Sequence, residues 1–133
     1  MFEYCSKLVN VQFPKVEIVS DFAFRMCSGL KKVVLPACKE IQGVLTFQQA
    51  NGLKLIDMLG GDGGDIACNL GMYGSVSVLV LRATDGVTGL SGALAKTTQI
   101  YVPDELVEQY KTATNWSTYA DQIAPLSTYV EEV

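Results

Sequence analysis

A chain of 133 residues that is 49% hydrophobic and 18% charged has material for one domain with a buried core, and too little charge for a disordered one. Net charge is −4, and among ten Lys and Arg the only adjacent pair is Lys31-Lys32. Nucleic acid is therefore not expected as a partner, because phosphate-backbone binding needs a clustered positive surface.

Membrane insertion is not expected either, since apolar runs such as Val78 to Leu81 are far too short to cross a bilayer. "FEYCSKL" after Met1 lacks the basic head and apolar centre of a secretory signal. Either the chain is not exported by that route or further sequence lies upstream.

From its second residue the chain repeats itself. Phe2, Cys5, Leu8, Val11, Phe13 and Pro14 are matched by Phe24, Cys27, Leu30, Val33, Leu35 and Pro36. A third copy runs through Phe47, Ala50, Leu53, Ile56 and Met58, with Leu59 at the proline place. A fourth runs through Leu70, Tyr73, Val76, Leu79 and Leu81, with Arg82 there, and a degenerate fifth keeps Leu94, Ile100, Val102 and Pro103. The last apolar anchors, Phe13, Leu35, Met58, Leu81 and Val102, step by 22, 23, 23 and 21 residues. Periods in the low twenties with this spacing predict a stacked solenoid. Each coil should supply one short strand, such as Lys32 to Leu35, with Val33 and Leu35 inward and the upstream Phe, Cys and Leu on an opposing wall.

The unit F-x-x-C-x-x-L-x-x-V-x-L-P, with "IVSDFAF" at Ile18 to Phe24 as a lead-in, resembles the BspA-like leucine-rich repeat of bacterial surface and phage-borne proteins. The resemblance spans about Phe2 to Pro103, and the segment Ile100 to Leu126 is similar to the helical ending of such arrays. It implies an α/β repeat fold: a strand-dominated leucine-rich-repeat solenoid of about five coils over residues 1–103. A helical cap would follow over 104–126 and a loose acidic tail over 127–133. It further implies adhesion or protein binding at a cell surface, in a secreted protein or in a virion, with no catalytic residues to carry over.

Pro103 suits the first turn of the cap, and Asp104 and Glu105 complement a helix N-terminus. Leu106, Val107, Tyr110 and Ala113 share one face, and a second short helix carrying Trp116, Tyr119, Ala120 and Ile123 should stop near Pro125. Trp116 is expected as a core anchor. At the other end the chain starts inside a coil, which would leave an uncovered edge, so the chain is expected either to be a fragment or to have that end covered by something else.

Cys5, Cys27, Cys38 and Cys68 show no C-x-x-C, and the chain has no histidine, so a zinc site would need all four thiolates. Buried free thiols are expected, with Cys5 stacked on Cys27; a disulfide is the alternative, and the redox compartment stays open. Gly60-Gly61-Asp62-Gly63-Gly64-Asp65 matches the G-G-x-G-x-D of calcium-binding rolls. That architecture needs successive copies, so the run is expected to be a turn, with Asp62 and Asp65 as the candidate ligands. Without histidine, Ser or Cys nucleophiles lack their usual base, and no G-x-x-x-x-G-K is present. Neither catalysis nor a cofactor is expected.

The strand register leaves Asn10, Gln12, Lys32, Val34, Leu55, Asp57, Val78, Val80, Gln99 and Tyr101 facing outward. Val34, Leu55, Val78, Val80 and Tyr101 make this stripe apolar, which calls either for a partner or for a cover from the chain's own loops or helices. The candidate binding residues are therefore Val34, Leu55, Asp57, Val78, Val80 and Tyr101. Two roles fit: an interaction module that holds a protein, a surface glycan or a further copy of itself, or a structural spacer with no ligand. A calcium-stabilised adhesin is a third. Self-association is expected from the apolar stripe and the open end.

Overall fold

Short runs rich in β-branched and large apolar residues alternate along the chain with turns, and each run forms a strand. The computed structural model describes residues 7–21, 23–43, 46–47, 50, 52–67 and 76–130. In chain order the strands are β1 (Asn10–Gln12), β2 (Ile18–Val19), β3 (Lys32–Leu35), β4 (Glu40–Ile41), β5 (Leu55–Met58), β6 (Asp65–Ile66), β7 (Val78–Leu81), β8 (Gly89–Leu90), β9 (Gln99–Val102) and β10 (Ile123–Pro125). One short α-helix, α1 (Val107–Thr112), precedes β10.

Alternate strands go to alternate sheets. A six-stranded sheet has the order β1-β3-β5-β7-β9-β10, and a four-stranded sheet has the order β2-β4-β6-β8. All pairs are parallel. The larger sheet aligns Val11, Val33, Ile56, Leu79 and Ile100 in one row, which Ile123 of β10 extends. Every member of that row is buried, as are Leu35, Met58, Leu81 and Val102 two residues on. Val19, Ile41, Ile66 and Leu90 of the smaller sheet are buried in the same core. Phe24, Cys27 and Leu30 join them from the turns before β3, and the Phe24 ring stacks on Phe47 with centroids 5.4 Å apart. Fully burying each such side chain contributes about 1.5–3 kcal/mol.

The expected solenoid of about five coils is corrected by this arrangement. The molecule is a small α/β protein with two parallel sheets and one short helix, and no closed coil is shown among the described residues. Sequence spacing counted one strand per period, whereas the chain also forms a second, two-residue strand between successive long ones. Such strands carry a single buried residue each, too short for alternation to register. Phe2, Cys5, Phe22, Cys68, Leu70, Tyr73 and the last residues of the tail lie outside the described residues, and with them the expected stacking of Cys5 on Cys27. Cys27 and Cys38 are buried and form no disulfide.

The C-terminal segment closes one end by supplying the polar partners that an edge strand lacks. Pro103 leads into a 3-10 turn over Asp104–Leu106 and then α1, which buries Leu106, Val107 and Tyr110 as the spacing predicts. Asn115 Nδ2 donates to the Leu90 carbonyl at 2.6 Å. Asn115 itself sits at φ 69, a left-handed conformation that asparagine tolerates better than most residues. Gln122 Nε2 donates to the carbonyls of Ala95 and Thr98, and the Leu94 N–H donates to the Tyr119 hydroxyl. The expected second helix differs: Ser117–Gln122 is 3-10, and Ile123–Pro125 is a strand on β9. Ile123 thereby enters the buried row, and Pro125 lies on a sheet edge where its missing N–H costs nothing.

Candidate interaction face

The outward side of the six-stranded sheet is the surface with the least structural explanation. Its outward rows are Asn10, Lys32, Leu55, Val78 and Gln99, and then Gln12, Val34, Asp57, Val80 and Tyr101. Of the predicted binding residues, Val34, Leu55 and Val78 are half-buried and lie on adjacent strands, where the face stays open.

Asp57 and Val80 are corrections, because only 4% and 0% of their surface is exposed. Asp57 is covered by Arg82, whose Nε and Nη2 donate to Oδ1 and Oδ2, both at 2.7 Å. This two-point pairing is the geometry that best offsets burial of a carboxylate. Tyr101 is half-buried and packs against Tyr129, ring centroids 4.9 Å apart. Val80 lies between Asp57 and Tyr101 in the register. The outward row Asp57–Val80–Tyr101 across β5, β7 and β9 is thus largely covered, whereas Val34 on β3 and Leu55 and Val78 in the neighbouring row stay half-buried.

Arg82 was missed as a site residue, although a signal existed. It occupies the place that proline holds at Pro14, Pro36 and Pro103, one strand beyond the single acid of the outward rows. Tyr129 carried no such signal, because nothing in the repeat says where the tail returns. Lys31 and Lys54 are both exposed and immediately precede β3 and β5.

At the opposite ends of the strands an open cleft of about 380 Å³ lies between Arg82, Thr84, Asp104, Glu105 and Ser127. The hydroxyl and N–H of Ser127 hold the Asp104 carboxyl below its usual range, and that N–H donates to Oδ1 at 3.0 Å. Asp104 is thus a fixed acceptor rather than a proton carrier near neutrality.

The glycine-rich run is a turn. Gly60 and Gly61 have φ 63 and 105, and a Cβ at Gly61 would collide with the Asp85 carboxylate and Ala83. Of its acids, Asp65 accepts the Ser91 hydroxyl at Oδ2, and the backbone N–H of Asp62 donates to Asp85 Oδ1 at 3.1 Å. Among the described residues no three Cys, Asp or Glu side chains gather where a metal ion could sit, and no helix is long and apolar enough to cross a membrane. No family model and no curated protein matches the chain.

Proposed function

We propose that the chain is a non-catalytic protein-interaction or adhesion module, of the kind its repeat unit resembles in BspA-like surface and phage-borne proteins. One observation carries this reading. Val34, Leu55 and Val78 are half-buried apolar residues on adjacent strands of the outward face, on which Arg82 pairs with Asp57 and Tyr129 packs on Tyr101. Such residues on a sheet offer preformed apolar area at low ordering cost. The lack of histidine supports a role without nucleophilic catalysis.

A random-peptide display selection on the immobilised chain, repeated with Val34→Ser/Val78→Ser, tests the proposal. Enrichment of peptides that bind the natural chain and lose the variant is the expected result. Enrichment of none, or of peptides that bind both equally, overturns it and favours a spacer without a ligand.

A further inference from the structure

Resting on that interaction role, we infer that the partner presents an acidic, apolar-bearing polypeptide segment whose carboxylates are taken by Lys31 and Lys54. Both lysines are exposed and stand immediately before β3 and β5. They are neighbours in the ladder, because the Lys54 N–H donates to the Lys31 carbonyl at 2.8 Å. Lys32 follows on the outward row beside Leu55. The ladder row that starts these strands, Val9, Lys31, Lys54, Ser77 and Thr98, contains two lysines and no carboxylate. That is a local excess of positive charge in a chain with 14 acids to 10 bases. The acid further along the face, Asp57, is already engaged by Arg82.

Lys31 and Lys54 are like charges on adjacent strands, and an anion between them would relieve their repulsion. Two lysines are too few for a nucleic-acid backbone. Beside Leu55, Val78 and Val34 they fit side chains that alternate carboxylate and apolar groups, the charges setting choice of partner and the patch holding it.

The probe is a fluorescein-labelled synthetic peptide alternating glutamate with leucine, titrated by anisotropy against a glutamine-for-glutamate control. The natural chain should bind the acidic peptide at least about tenfold tighter than the neutral one. Lys31→Gln/Lys54→Gln should abolish that preference while leaving the melting temperature unchanged or raised, and Val34→Ser/Val78→Ser should weaken both peptides. Equal binding of the two peptides with both still sensitive to Val34→Ser/Val78→Ser overturns the acidic partner and leaves the interaction face standing. An acidic preference that survives Lys31→Gln/Lys54→Gln overturns the assignment to these lysines. Binding indifferent to every variant overturns the face itself. Failure of both peptides where display has already yielded face-dependent binders overturns the inference alone.

Discussion

The Tyr110 hydroxyl accepts the Thr88 N–H at 3.0 Å and lies 2.9 Å from the Thr88 hydroxyl, which itself accepts the Gly61 N–H at 2.8 Å. Trp116 Nε1 donates to the Thr88 carbonyl at 2.7 Å, and the Trp116 ring meets Tyr110 edge-on at 5.1 Å. Thr88 therefore joins the glycine turn, the loop before β8 and the C-terminal segment, and Trp116 is the core anchor its sequence position implies. Tyr110→Phe leaves the buried Thr88 N–H without an acceptor and should cost about 1–3 kcal/mol in denaturant melts. Burial pushes the Tyr110 phenol above its usual value. The stability this group contributes is fully present below the ordinary tyrosine range, about pH 10, and is lost as pH rises through the raised value. Tyr110→Phe should accordingly flatten the alkaline end of the stability profile. A variant as stable as the natural chain, with the same alkaline loss, would show that the hydroxyl carries neither effect.

Between β5 and β7 the Asp57–Arg82 pair joins neighbouring strands across an otherwise apolar face. Asp57 is 6% exposed at its side chain and Arg82 is 40% exposed, so the acid depends on the base more than the reverse. Arg82→Ala should destabilise by about 1–3 kcal/mol by stranding a buried carboxylate, and adding Asp57→Asn should recover part of that loss. A double variant as unstable as the sum of the singles would refute the coupling.

At this scale the sequence was legible where residues alternate over at least three positions. Each long strand from β1 to β9, with its inward and outward sides, follows from Val11, Val33, Ile56, Leu79, Ile100 and their partners. The second sheet was not legible, because Ile18-Val19 or Gly89-Leu90 offers one inward residue and no period. β10 was hidden for another reason: Ile123 fits a helical face as well as a strand row, and only packing on β9 decides. Of the candidate site, Val34, Leu55 and Val78 were readable from register. The covers over Asp57 and Tyr101 were not, since they depend on where Arg82 and Tyr129 come to rest.

Among the described residues of the whole molecule the two ends differ. The β8–β9 end is sealed by side chains of the C-terminal segment. At the β1–β2 end Ile18 is 51% exposed beside a small apolar pocket of about 100 Å³ lined by Phe13, Val16 and Phe24. If copies of the chain meet through this end or through the sheet face, light scattering should detect association as concentration rises. Val34→Lys/Val78→Lys should weaken association if copies meet through the face and leave it intact if they meet through the end. A clean monomer at high concentration would contradict both.

The central claim, that the open part of the outward sheet face is where a partner binds, is tested most directly by a methyl-labelled NMR titration with a peptide enriched by display. The methyl signals of Val34, Leu55 and Val78 should shift progressively, while those of Val33, Ile56 and Leu79, one residue away on the inward row, and of Ile41 and Ile66 in the smaller sheet stay in place. Shifts confined to Ile41, Ile66 and their neighbours, with Val34, Leu55 and Val78 unmoved, would contradict it.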